Sequence, residues 1–204
     1  MDELNNTTEK QIYEAALKIF QKKGFAGARM QEIADEAKIN KSMLHYYFRS
    51  KEKLFREIFL SSMKQLLSSV VPILNSENTW EQKIPLLINH YVDFIEQNPD
   101  LPFFVLNEMR NNTKEFLGIV KIDEIVMNSL FLKQLKEAMQ KGEIRTINPA
   151  QILLSLISGV VFPFIARPMV THMVQLNDSD WTTFMKDRRQ VVEDMVIGYL
   201  KNSH

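Results

Sequence analysis

Lys41, Ser42, His45 and Tyr46 bring a cation, a hydroxyl, an imidazole and a phenol within six residues of chain. On a helix, at about 100° per residue, the four share one face. Leu44 and Tyr47 fall on the other face, with Phe48 at its border. A face of hydrogen-bonding groups backed by an apolar face is suited to phosphate oxygens and base edges. The charge around it matches. Between Lys10 and Arg56 eleven basic side chains stand against five acidic ones, in a chain whose formal net charge is zero. A basic block on an otherwise acidic chain points to a polyanionic partner for that block.

The chain carries little sign of other chemistry. It has no cysteine, which excludes thiol catalysis and a disulfide scaffold and fits a reducing cytoplasm. His45, His90, His172 and His204 lack metal-ligand spacing. No H-E-x-x-H, G-x-x-x-x-G-K-[ST], G-x-S-x-G or G-x-G-x-x-G occurs, so an enzyme, a bound cofactor and a metal site are not expected. The N-terminus lacks the basic start and apolar run of a leader. The most apolar run, Ile152 to Ala166, falls short of the roughly 20 residues that span a bilayer, so no membrane role is expected.

The elements that position the reading face are helical. Glycine (6) and proline (7) are scarce, 45% of residues are hydrophobic, and apolar spacing is helical almost throughout the 204 residues, which predicts an all-α protein. Ile12, Ala15, Ala16, Ile19 and Phe20 form a stripe on a first helix over Thr8 to Lys23, ended by Gly24. A short helix is predicted over Met30 to Ala37, burying Met30, Ile33, Ala34 and Ala37. A turn follows at Lys38–Ile39–Asn40. Asn40 then caps a second short helix over Lys41 to Phe48. Two short helices across a three-residue turn form a helix-turn-helix. Ser50 caps a long helix from Lys51 to about Val71, where Pro72 is expected to end it. Further helices are predicted near Trp80–Gln97, Leu101–Asn111, Phe116–Lys141, Pro149–Arg167 and Asp180–Lys201. The expected division is residues 1–50 as the DNA-binding domain and 51–204 as a second helical domain.

Gly24-Phe25, Met30-Gln31-Glu32-Ile33-Ala34-Asp35-Glu36-Ala37, Leu44, Tyr47-Phe48, Ser50-Lys51-Glu52 and Leu54 resemble the N-terminal signature of the TetR family of bacterial transcriptional regulators. The match covers about residues 8 to 58. The rest of the chain resembles the family in being all-helical and of similar length. Lys38 replaces a usual turn glycine, Asn40 a serine or threonine cap, Ser42 a frequent glycine and His45 a common tyrosine. Ala28 and Arg29 replace a threonine pair. The resemblance implies a sequence-specific repressor on double-stranded operator DNA, released by a small effector, with activation in place of repression left open. It implies that Lys41, Ser42, His45 and Tyr46 meet the major groove, that Arg29 and Gln31 approach from the helix before, and that Tyr47 and Lys51 contact phosphate. Tyr47 reads equally well as core, and Lys51 also reads as a solvated lysine of a first helical turn.

The second domain offers two further surfaces. Pro149 opens a helix that is apolar nearly all round, and Ser155 and Gly159, one turn apart, let another helix approach closely. With the last helix it is expected to build a homodimer through Ser155, Gly159, Phe162, Val192, Met195, Val196 and Tyr199, as the resemblance also implies. Large soft side chains in the middle of the chain, Tyr91, Phe94, Phe103, Phe104, Met109, Phe116, Met127, Phe131 and Phe162, could line a pocket for an apolar or amphipathic ligand; each also reads as plain core.

Overall fold

A computed structural model describes residues 2–99, 101–103, 105–106 and 122–201; for 2–7, 21, 122, 123 and 178 it describes the backbone only. All regular elements among the described residues are helices. Two compact units emerge: one from Met1–Gln65 with Gln97–Asn112, the other from Leu66–Glu96 with Thr113–His204, as far as these are described. The division falls inside the long helix predicted from Lys51.

The first unit holds α1 (Asp2–Gly27), α2 (Met30–Glu36), α3 (Lys41–Tyr47) and the first half of α4 (Lys51–Leu74). The stripe Ile12, Ala15, Ala16, Ile19 and Phe20 is buried as its spacing demands. At Gly24 the backbone leaves the helical region at φ 67°, a left-handed conformation open to glycine, so the first helical stretch ends there as expected and a further short stretch runs on to Gly27. Phe20 meets Phe55 edge-on at 4.8 Å, Phe25 lies 4.6 Å from Phe55, and Phe59 lies 4.2 Å from it. The start of α4 is therefore built into the core beneath the two short helices. Ile33, Ala34, Ala37, Leu44 and Phe48 fill that core, whereas Met30 is only half-buried.

α4 runs through Pro72 to Leu74. A proline in the last turn removes one backbone donor, which is too little to stop a helix whose end is held elsewhere. Leu74 is held: its carbonyl accepts from the ammonium of Lys83 at 3.1 Å. Lys83 is fully buried and also donates to Gln134 Oε1 at 3.0 Å, while Gln134 donates to the Asn78 carbonyl at 2.9 Å. Among the described residues α4 is the one helix long and apolar enough to cross a bilayer by length and composition. Its apolar side chains Leu54, Phe55, Ile58, Phe59, Met63, Leu66 and Leu67 are instead buried within the protein.

The second unit continues with α5 (Trp80–Gln97), α6 (Ile122–Met127), α7 (Leu130–Gln140), α8 (Pro149–Ile165), α9 (Arg167–Met173) and α10 (Asp178–Lys201). Where one helix was expected over Phe116–Lys141, α6 and α7 are separate, and Ser129 caps α7 by accepting from Leu132 N–H. The core joins Ile84, Ile88 and Val92 of α5, Phe131 and Leu135 of α7, Ile152, Leu156 and Val160 of α8 and Trp181, Met185, Val192 and Val196 of α10. The apolar run of α8 breaks at Ala166 and bends by 78° into α9. Inside α8, Pro163 has no N–H for the Gly159 carbonyl four residues back. Arg188 of α10 replaces it, its Nε donating to that carbonyl at 2.9 Å.

Candidate nucleic-acid interface

The turn between the short helices is closed by backbone bonds from Lys38 N–H to Asp35 and from Ile39 N–H to Ala34. It places Lys38 at φ 56°, which a glycine would adopt freely and a lysine adopts at a cost of about 1 kcal/mol. Asn40 then accepts from Met43 N–H at 2.7 Å, fixing the first turn of α3. At the start of α2 the Glu32 carboxylate accepts from Arg29 N–H, a cap in place of the missing threonines.

Leu44 and Phe48 anchor α3 in the core, leaving Lys41, Ser42, Met43, His45 and Tyr46 exposed and Tyr47 half-buried. Tyr46 is 80% exposed and touches the Tyr47 ring edge-on at 5.5 Å. The His45 ring turns toward the helix end, with Nδ1 3.3 Å from the Arg49 carbonyl. Gln31 is exposed and donates to Asp35, and Arg29 is exposed beside it. Met43 was not among the residues expected on this face. Its position directly before the buried Leu44, in the first turn, was the available signal.

The acidic residues of this unit are largely paired internally. Lys23 binds Glu32 at 2.8 Å and Lys18 binds Glu36. The bonds to Lys23 and to Lys18 hold the Glu32 and Glu36 carboxyls below the ordinary range. Lys41, at the start of α3, and Arg49, just beyond its end, are exposed and form no salt bridge among the described residues.

Lys51 departs from the expected arrangement. Its ammonium donates to the carbonyls of Phe25 at 2.9 Å and Ala28 at 3.2 Å and lies 4.3 Å from the centre of the Phe25 ring. It is half-buried and closes the link between α1 and α2 rather than standing free at the start of α4.

The residues expected to pair subunits separate into two groups. Val192 and Val196 are buried in the protomer's own core. The close approach at Gly159 is made by the chain's own α10, where an added Cβ would come 3.1 Å from a Val192 methyl. Ser155, Phe162, Met195 and Tyr199 are exposed, joined by Leu154, Ile157 and Val191, and so form a broad apolar face on α8 and α10. A cavity of about 480 Å³ runs along it between Ile147, Ser155, Arg188, Met195 and Tyr199.

The described residues among those expected to line a ligand pocket have differing surroundings. Phe131 is fully buried core, because it lies on the inward stripe of α7; Phe162 and Met127 are exposed, and Phe103 belongs to the first unit. Tyr91 and Phe94 are half-buried on α5, and burial pushes the Tyr91 phenol up to about 12. Phe104, Met109 and Phe116 lie outside the described residues. Nearby, Ser69 of α4 and His90 Nε2 of α5 are 2.7 Å apart.

A sequence model described as bacterial regulatory proteins of the tetR family matches residues 12–58, the segment that builds this interface. The repressor NicS of Pseudomonas putida is 52% identical over 48 residues, 24% of this chain and 23% of its own. The fatty acid metabolism regulator protein of Bacillus subtilis is 24% identical over 153 residues, covering 74% of this chain and 78% of its own. The crystal structure of the transcriptional regulator FadR from Bacillus subtilis, in complex with stearoyl-CoA, superposes with a TM-score of 0.64 at 18% identity. It covers 94% of this chain and 98% of that one, a likeness of fold along nearly the whole length.

Proposed function

We propose that the chain is a regulator of the tetR family: a dimeric repressor, acting in the cytoplasm, released from its operator by an amphipathic small molecule. The carrying observation is α3. Leu44 and Phe48 are buried, Lys41, Ser42, His45 and Tyr46 are exposed on its outer side, and among the described residues the cations Lys41 and Arg49 form no salt bridge. In this reading Ser42 and Tyr46 read base edges, with Lys41, His45, Arg29 and Gln31 at the flanks and Tyr47 at phosphate. Two copies, paired through the exposed face of α8 and α10, present two such helices to successive major grooves about 34–36 Å apart.

The effector class is drawn from a relative. FadR of Bacillus subtilis binds stearoyl-CoA, and the present chain keeps its fold, so long-chain acyl compounds are the first to test. Relief of DNA binding by about 100-fold requires roughly 2.7 kcal/mol of coupling between the two sites. In this reading the coupling passes along α4, whose residues belong to both units. By reciprocity, operator DNA weakens effector binding by the same factor.

The test is a selection of bound fragments from genomic DNA, followed by titration of acyl-CoAs with and without the selected duplex. A palindromic motif and an acyl-CoA affinity that falls in the presence of DNA support the reading. Fragments without a motif overturn the specific regulator, and an affinity indifferent to DNA overturns release by that ligand.

A further inference from the structure

We infer that Met43 selects thymine, through its 5-methyl group, at one position of each operator half-site; the inference rests on the DNA-binding reading of α3 above. It begins from the direction in which α3 faces outward. Leu44 and Phe48, both buried, lie about 40° apart around the helix. The direction opposite their mean is that of Tyr46, the most exposed of these side chains at 80%. Ser42 lies about 40° to one side of it and Met43 about 60° to the other, whereas Lys41, His45 and Tyr47 are all about 100° or more away. The outward trio is thus Ser42, Tyr46 and Met43.

Met43 is 42% exposed on a helix whose first turn is fixed by the Asn40 cap on its own N–H. The N-terminal residues of a reading helix are those that reach base edges. An exposed thioether there has no internal partner to explain it, and in the major groove its chemistry is selective. Guanine and adenine present hydrogen-bonding atoms, cytosine presents an amino donor, and thymine alone presents a methyl group. Methionine offers no strong acceptor to the cytosine amino group and an unbranched, polarisable chain to the thymine methyl. Tyr46, one turn on, supplies a phenol and a ring beside the same base step, so the contact is covered from water.

The experiment uses the full chain and the duplex obtained by selection. Each thymidine of the half-site is replaced in turn by deoxyuridine, which removes the methyl group and leaves the pairing edge intact. At one position per half-site the wild type should lose about four-fold in affinity, the effect of one buried methyl group. Met43→Ala should bind thymidine and uridine equally at that position and keep the wild-type response at the others. Met43→Leu should retain the preference. Cytosine at the position should bind worst, with 5-methylcytosine recovering part of the loss in the wild type only. A wild type indifferent to every uridine, or a Met43→Ala protein with an unchanged uridine penalty, overturns the inference and leaves the regulator reading standing. A selection that enriches no motif overturns both.

Discussion

Replacing Lys51 by methionine separates two roles that its position at the start of α4 would allow. A phosphate contact and an internal clasp both lower affinity for every DNA sequence, but they differ in two other observables. The ammonium makes two hydrogen bonds to backbone carbonyls and lies over the Phe25 ring. Hydrogen bonds with a charged partner contribute about 1.5–3 kcal/mol each where fully buried, and the ring contact about 0.5–1 kcal/mol more. Half-exposure and the lost hydration of the ammonium reduce the sum, leaving about 2 kcal/mol for the set. In a chain of this length that lowers the melting temperature by about 4–8 °C. A phosphate contact, in contrast, releases a counterion: its removal lowers the slope of log affinity against log salt by about 0.9 per contact, or about twice that for a dimer. The clasp reading therefore predicts a clear fall in melting temperature with the salt slope unchanged. Calorimetry and fluorescence anisotropy across a salt series measure the two. An unaltered melting temperature with a slope reduced by about two would refute the clasp and restore Lys51 to the phosphate.

Met195→Asp or Leu154→Asp, at side chains 63% and 59% exposed on α8 and α10, should yield folded monomers by light scattering with normal helical circular dichroism. Val192→Asp should instead unfold the protomer, because Val192 is buried core; folded, dimeric Met195→Asp would place the subunit interface elsewhere. Lys38→Gly relieves a left-handed lysine and should stabilise the chain by about 0.5–1 kcal/mol in thermal unfolding, with no gain in DNA affinity. Glu32 and Glu36 have carboxyls depressed by Lys23 and Lys18, so their contribution is present above the ordinary carboxyl value of 4.5 and is lost as pH falls through their lower folded values. The double variant Glu32→Gln, Glu36→Gln should be less stable at neutral pH and lose less stability between pH 5 and 3, followed by circular dichroism; a profile as steep as the wild type's would show that other carboxyls govern acid unfolding.

The reading head was legible because its constraints are local. The stripe from Ile12 to Phe20 and the Asn40 cap act within a few residues and appear in the structure where their spacing put them; Lys41, Ser42, His45 and Tyr46 are exposed as expected, with Met43 exposed beside them. Gly24 was legible in the same way: its backbone leaves the helical region at φ 67°, where the sequence placed the end of the first helix. The surroundings of Lys51 were not legible, since nothing adjacent to it in sequence reveals two carbonyls of an earlier turn within reach of its ammonium.

The second unit was legible only as a set of helices, because its distinctive interactions join residues far apart in the chain. Proline shows why. Pro72 reads as a helix end, yet α4 passes through it, as α8 passes through Pro163. The missing donor at Gly159 is supplied by Arg188, 29 residues on, and the end of α4 is capped by Lys83, which itself needs Gln134, 51 residues away. A buried lysine and a guanidinium bonded to a mid-helix carbonyl look, in sequence, like ordinary surface charges. The same reasoning applies to the subunit face. Val192 and Met195 are three residues apart and equally apolar, but the glycine at 159 draws Val192 into the protomer and leaves Met195 outside. Gly159 thus lies against the stripe of α10 that packs in the chain's own core, while the stripe with Met195 stays exposed. A Cβ at that position must displace a Val192 methyl 3.1 Å away, so Gly159→Ala should loosen the packing of α8 on α10 and weaken dimerisation without adding or removing any group on the exposed face. Dimer dissociation constants for Gly159→Ala and Met195→Ala, measured beside protomer stability, distinguish the two routes: loss of both quantities for the former, loss of dimerisation alone for the latter. Equal behaviour of the two variants would mean that the packing beneath the face does not shape it.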